Sequence, residues 1–285
     1  RYFRITDSEI LRSVFTRQKV GCALEEKDID ITAAAGRTDQ DKLKKLYQFS
    51  RRRTASIYFL RDSMWALGKW KSPELLKWAK DFHPDVIFFA ASDYAFSYRI
   101  TLFLAKTLQV PVVMWCADDF YLSLPDSPLR RLQCRSLGKL ARQIVQQSES
   151  VVTISDKMEE DYSRFFGFPT KLIRISAARN PRVLPPEQRS GIVYAGNLGL
   201  NRIVSLVELG RALKRAALPG LPAIDVYTGE RDPDVIQQIN GENGLHYCGS
   251  VSASEIERIL GSSRFLVITE AFDEKNARRT KYSLS

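Results

Sequence analysis

The sequence predicts an α/β protein built as two doubly wound units, and three observations carry that expectation. Short continuous apolar runs recur along most of the 285 residues, amphipathic helical stretches separate them, and one proline-rich break divides the series. Continuous runs, unlike alternating ones, suit parallel strands covered on both faces. At this length two domains are the natural expectation, and each can bury a core.

The first unit reads clearly from residue 85. DVIFFAA (85–91) is expected as a buried strand and 96–108 as a helix. VPVVMWCA (110–117) is the next strand, followed by a long helix over 128–147. SVVTIS (150–155) leads into a helix over 156–167 with a glycine stop, and TKLIRI (170–175) is a fourth strand. Residues 1–84 are expected to be α/β, with helices near 43–53 and 74–80. AARNPRVLPPEQRSG (177–191) holds three prolines and reads as a linker. We place it at 181–190, between domains 1–180 and 191–285. The rhythm then resumes with strands at 191–196, 223–229, 245–249 and 264–269, and helices at 202–217, 232–239 and 254–260. The chain stops at RRTKYSLS where another strand–loop–helix unit is due, so the second domain is expected to be incomplete.

Composition narrows the class. The longest apolar runs, 86–91 and 110–117, fall far short of the roughly 20 residues a membrane helix needs. The N-terminus, RYFRITDSEI, is too polar for a secretory signal. Four cysteines, Cys22, Cys116, Cys134 and Cys248, show neither paired nor CxxC spacing, which favours a reducing, cytoplasmic setting. His83 and His246 are too few for a histidine-rich metal centre, and His83, beside Pro84, reads as structural.

The net charge of +10 is unevenly spread. Residues 1–180 hold 30 Lys/Arg against 21 Asp/Glu, whereas 181–285 hold 13 against 12. A basic first half suits an anionic partner. On the helix at 128–147, Arg131, Arg135, Lys139 and Arg142 fall within about 80° of one another, opposite Leu129, Leu137, Leu140 and Ile144. Such a stripe is either a solvated surface or, together with the basic run Arg51-Arg52-Arg53, a seat for an anionic acceptor or membrane.

The segment GIVYAGNLGLNR (191–202) is strand, glycine-containing loop, then helix, which aims free backbone N–H groups above the sheet. Gly196 and Gly199 allow close approach and Arg202 can reach an anion. The spacing is neither GxGxxG nor GxxxxGK. Further on, HYCGSVSASEIERILGSSRFLVITEAFDE (246–274) has a Gly249-Ser-Val loop, a helix capped by Ser252 or Ser254, and a strand ending on Glu270. A carboxylate there can accept two hydroxyls of a ribose or sugar, or be an exposed loop acid.

The order of these segments resembles the donor domain of retaining GT-B glycosyltransferases, the glycogen-synthase-like group (glycosyl transferases group 1, family 4-like). SVVTISDKMEEDYSRFFGFPTKLIRISAARNP resembles the end of their first domain. The resemblance covers roughly 85–285 and implies two Rossmann-like domains facing a cleft. It implies sugar transfer from a UDP- or GDP-sugar to an acceptor hydroxyl, with retention and with no cofactor or metal. By that likeness Gly196 and Arg202 hold the diphosphate, Asn197 counts among the donor-binding residues, Ser250 and Val251 lie by the nucleobase, and Glu270 falls near the donor ribose or sugar. Lys281, or Arg278 and Arg279, would assist with the leaving group. Two departures stand out. Asn197 sits where many relatives have Arg, and Arg278 sits where the family's E-x7-E pair has its second acid.

In the first domain, VPVVMWCADDFY ends a strand on Asp118 and Asp119. The family often has a polar or acidic residue there, facing the transferred sugar; helix capping is the competing reading. Ser155 and Asp156 read better as a helix N-cap. Asp28-Ile-Asp30 and Asp232-Pro-Asp234 have DxD spacing but are expected in loops away from the cleft. The implied acceptor is carbohydrate or lipid-linked, at the cytoplasmic face of a membrane. Two other classes compete. A nucleotide-sugar epimerase of the same fold would lean on acid and histidine groups in the cleft, and this chain has two histidines. A nucleic-acid-binding module would need a recognition signature, and none is present.

Overall fold

The structure, a computed structural model, describes residues 1–16, 18–25, 55–122, 127–174, 183–217, 219, 223–274 and 276–284. The expected helix at 43–53, the pair Asp28 and Asp30, the basic run Arg51, Arg52 and Arg53, and linker residues 177–182 lie outside these. The chain forms two compact units, Arg1–Arg174 and Ile175–Ser285.

The first unit opens with a small antiparallel pair, β1 (Tyr2–Arg4) and β2 (Cys22–Leu24), flanking α1 (Asp7–Phe15). Thr6 and Glu9 close a reciprocal capping box at the start of α1. Then come α2 (Ala55–Leu67) and α3 (Pro73–Phe82). Ser72 caps α3, Pro73 sits in its first turn, and His83 ends it in the left-handed region at φ 50°. Ile10, Val20, Trp65, Trp70 and Leu75 fill the core here, with Trp65 stacked on Phe96.

The main sheet of this unit contains β3 (Ile87–Ala90), β4 (Val112–Cys116), β5 (Ser148–Thr153) and β6 (Thr170–Leu172), parallel and in sequence order. The helices between them are α4 (Ala95–Leu108), α5 (Pro128–Val145) and α6 (Asp156–Phe166). Ser127 caps α5 and Pro128 begins it. Gly167 ends α6 at φ 63°.

The second unit holds β7 (Ser190–Ala195), α7 (Arg202–Ala216), β8 (Ile224–Tyr227), α8 (Pro233–Ile236), β9 (Leu245–Gly249), α9 (Ala253–Ser262), β10 (Ser263–Val267) and α10 (Ala277–Leu284). Its parallel strands run in the order β10-β7-β8-β9. The chain steps outward from β7 to β9 and returns to lay β10 on the other side of β7. The order reverses between β7 and β10, the position at which open α/β sheets bind ligands. Alternate strand residues Ile192, Tyr194, Ile224, Val226 and Leu245 meet Ile203, Leu206 and Val207 of α7 in its core. Both units are therefore Rossmann-like parallel α/β layers.

Two expectations need correction, and one pair of strands is new. The helix predicted over 232–239 is one α turn, because hydrogen bonds after Gln237 shorten to i→i+3 and lead into a 3-10 turn at Gly241–Asn243. The β1–β2 pair was not foreseen, since three-residue strands are too short to show a period of two. Ser155 occupies the N-cap position of α6, but its hydroxyl makes no capping bond; it is buried and unpartnered. No helix among the described residues is long and apolar enough to cross a membrane.

Candidate active site

In the second unit Gly196, Asn197, Ser250, Val251 and Glu270 follow the carboxyl ends of β7, β9 and β10, and Arg202 opens α7. The ladder continues past β7 as the Gly196 N–H donates to the Tyr227 carbonyl at 3.1 Å. The Tyr194 hydroxyl donates to the Asn197 carbonyl, and buried Leu198 anchors the loop. The Asn197 side-chain oxygen accepts the Gly199 N–H at 2.6 Å. A Cβ on Gly199 would lie 2.8 Å from that oxygen, so a side chain there would push the Asn197 amide aside and cost the turn this hydrogen bond. Leu200 and Asn201 then both take positive φ, 59° and 64°, turning the chain into α7. For leucine this is strained backbone, of the kind that persists where surrounding structure holds it.

Arg202, the first residue of α7, forms a two-pronged ion pair with Glu270. Nε donates to Oε2 at 2.9 Å and Nη2 to Oε1 at 3.0 Å. The two side chains are only 22% and 12% exposed. The Ser205 hydroxyl donates to the Glu270 carbonyl, which fixes the segment after β10 against α7. The two residues assigned separately to diphosphate and sugar are thus bonded to each other, across the strand-order reversal. Asn201 donates to Asp273, and Asn276 holds the Asp273 carboxyl below the usual carboxylate range.

Gly196 and Asn197 line a cavity of about 240 Å³ with Thr228, Gly229 and Glu230. Those last three residues follow β8 and were missed in the sequence. The available signal was the strand AIDVYTG ending on Thr-Gly, the same carboxyl-end position as Gly196. Ser250 and Val251 are exposed on the loop after β9, and Ser252 caps α9. Lys281 is exposed on α10. Arg278 is half-buried on the same helix, while the side chain of Arg279 lies outside the described residues. Asp232 caps α8, taking the Asp234 N–H, so this DxD pair serves a helix start.

In the first unit the two acids after β4 have different fates. Asp118 is exposed and its Oδ1 accepts the Asp119 N–H at 2.7 Å. Asp119 is buried and its Oδ1 accepts the Leu122 N–H at 2.9 Å, closing the loop. Aromatic packing holds this loop in place. Tyr121 stacks on Phe165 and shares a hydrogen bond of 2.5 Å with Tyr98, and the Tyr162 hydroxyl donates to the Asp118 carbonyl. Burial raises the Tyr98 and Tyr121 hydroxyls above their ordinary pKa, so both stay protonated donors. Asp93, after β3, accepts the Tyr58 hydroxyl, and Arg130 lies 4.5 Å from the centre of the Tyr58 ring. Asp156 pairs with Arg174.

On α5 the buried face is Gln133, Cys134, Leu137, Gly138, Ala141, Ile144 and Val145, and Arg131, Arg135, Lys139 and Arg142 are exposed opposite it. Arg142 leans onto the Phe165 ring at 4.1 Å and donates to the Phe165 carbonyl.

Each unit is a parallel Rossmann-like α/β layer, and the second carries a glycine loop and, shortly after a strand end, an acid at its order reversal. Residues 19–178 match the family model of Glycosyltransferase Family 4, and the chain belongs to that family. The match falls on the first unit, whereas the residues that carried the resemblance most strongly are 191–270. No curated protein sequence matches the chain. Among solved structures it is similar to Anabaena HepE in complex with UDP-glucose, at 16% identity over 69% of this chain and 56% of that one, with a TM-score of 0.48. It is also similar to a Listeria monocytogenes protein assigned as a UDP-N-acetylglucosamine 2-epimerase, at 9% identity over 73% and 56%, with a TM-score of 0.41. A third is Phytolacca americana UGT2 complexed with UDP-2-fluoro-glucose and pterostilbene, at 9% identity over 78% and 65%, with a TM-score of 0.42. The chain therefore spans less than two thirds of each. At these identities the likeness carries no substrate and no residue role to this chain.

Proposed function

We propose that the chain is a glycosyltransferase moving a sugar from a UDP- or GDP-sugar to an acceptor hydroxyl, with retention at the anomeric carbon. The observation that carries this reading is the Arg202–Glu270 pair at the order reversal of a family 4 chain. A guanidinium has five N–H donors. Two face Glu270 in this structure, and together with the other three they can meet the oxygens of a diphosphate once the carboxylate moves aside. As the bond to the sugar breaks, negative charge gathers on the leaving nucleoside diphosphate. Arg202 and the start of α7 are the groups that would meet it, and Lys281 is a further candidate. Electrostatic work of this kind calls for no metal. Glu270, displaced from Arg202 by the incoming phosphate, would accept hydroxyls of the donor sugar or ribose. Ser250 and Val251 would flank the base. Of the two acids after β4, Asp118 is the better candidate to take the acceptor proton, because Asp119 is committed to its loop.

The acceptor in this reading is carbohydrate or lipid-linked and anionic, met by Arg131, Arg135 and Lys139 at the cytoplasmic face of a membrane. Flotation with anionic liposomes, but not neutral ones, is the expected result; equal binding to both would remove the membrane from the proposal. The donor site is tested by thermal shift against UDP, GDP and their sugars. A ligand that binds only the folded state raises the melting temperature. At least one diphosphate should do so with wild type and none with Arg202→Ala; silence across the panel with wild type would sink the reading. Product analysis then separates sugar transfer from an isomerised donor.

A further inference from the structure

The second sheet carries a group of side chains that the donor-site reading does not use. Asp225 on β8 lies opposite His246 on β9 in the parallel ladder. The ladder slips between Val226 and Tyr227, so that Tyr227 pairs with Gly249 and leaves Cys248 as the extra residue. Such irregularities re-aim a side chain, and here the Cys248 sulfur ends beside the His246 ring. Nδ1 of His246 lies 2.9 Å from Asp225 Oδ1 and 3.6 Å from Cys248 Sγ. The carboxylate oxygen, ring nitrogen and sulfur all fall within 4.8 Å of one another. Cys248 is a free thiol.

These are the three donor types that zinc-class ions take, and the spacing suits them. Zinc bonds of about 2.0 Å to nitrogen and 2.3 Å to sulfur, set at tetrahedral angles, separate those two atoms by roughly 3.6 Å. The same geometry needs an oxygen–nitrogen separation of about 3.3 Å, so Asp225 and His246 must part by a few tenths of an ångström. His246 is exposed, and Asp225 and Cys248 are half-buried, so water can reach a fourth position. All three donors stand on hydrogen-bonded strands, which keeps the cost of ordering them small.

We propose that Asp225, His246 and Cys248 form a binding site for a zinc-class divalent ion, with solvent as its fourth ligand. The site pins β9 to β8 and is separate from the Arg202–Glu270 pair in its residues and in its chemistry. Sequence spacing hid it, because the His-x-Cys pair gains its third donor only across the ladder.

Cobalt(II) titration of the purified reduced chain tests the proposal. One equivalent should give the visible bands of tetrahedral cobalt and a thiolate-to-cobalt charge-transfer band, and zinc(II) chloride should bleach both. Cys248→Ser should abolish the charge-transfer band, and His246→Gln and Asp225→Asn should each weaken cobalt binding. Cys22→Ser, which alters the other partly exposed thiol, should leave the spectrum unchanged. Each substitution is small and at least partly exposed, so unchanged melting without metal is expected; should one variant unfold, the other two still decide. A wild-type chain without the bands, or bands that persist in Cys248→Ser, would overturn the site.

Discussion

At the residue scale the Arg202–Glu270 pair is the feature with the largest energetic stake. Removing one partner leaves a mostly buried charge unsatisfied, whereas removing both leaves none. Arg202→Ala or Glu270→Ala alone should each lower stability by about 2 kcal/mol, less than a fully buried pair would lose. The double variant should lose clearly less than the sum of the two, and urea unfolding across the cycle measures the difference. The acids after β4 invite a second comparison. Asp119→Ala should destabilise by about 1–2 kcal/mol by exposing no new charge but orphaning the Leu122 N–H. Asp118→Asn should leave melting unchanged and reduce sugar transfer; full transfer would exclude Asp118 as the proton acceptor.

Asp62 allows a third prediction at this scale. Burial holds its carboxyl above the ordinary value, although the Ala95 N–H at 3.0 Å pulls the other way. An acid whose folded pKa is raised binds its proton more tightly in the folded state. Its contribution is therefore best below the ordinary carboxylate pKa, and it falls as pH rises through the raised value. Asp62→Asn should remove that decline, seen as a wild-type-minus-variant stability difference that changes in mildly acidic solution and is flat above it.

At the scale of elements, packing of α7 depends on a single missing methyl. A Cβ on Gly210 would lie 2.3 Å from the Asn243 carbonyl and 2.7 Å from a Leu245 methyl. Helix propensity favours alanine there by about 1 kcal/mol, but the clash dominates. Gly210→Ala should cost about 2 kcal/mol or more, read from its denaturation midpoint. The elements also show what the sequence could reveal. Long helices such as α5 and α7, and apolar strands such as β4 and β8, carried enough periodicity to be located within two or three residues. The one-turn α8 and the β1–β2 pair carried too few. Gly196, Arg202 and Glu270 stand out as candidates in the sequence because glycine and charge at strand ends have few other uses. The Arg202–Glu270 ion pair does not, since 68 residues of chain separate the partners and only the sheet order joins them. Thr228 and Glu230 were hidden for a related reason, lacking any distinctive residue type.

For the whole molecule, a nucleoside diphosphate that binds as proposed must leave a footprint spread over distant sequence. Hydrogen exchange should slow together at 196–202, 228–230 and 249–252 on adding the diphosphate that raises melting, with Arg202→Ala removing all three effects. Protection confined to one loop would point to a different site. The basic charge, by contrast, is concentrated in residues 1–180, so if an anionic acceptor binds as proposed, its sensitivity to salt should originate there.

Glu270 also acts as a resident counter-ion. It occupies two N–H groups of the guanidinium fork, so Arg202 is held in place with its charge already balanced. If a diphosphate binds as proposed, it would take over the fork while the carboxylate stays beside it, so the start of α7 must share in offsetting the added negative charge. Discrimination then depends on how well the newcomer fits the fork, since simple attraction is already satisfied. Small anions such as chloride gain little by entering, and a diphosphate that offers several oxygens gains more.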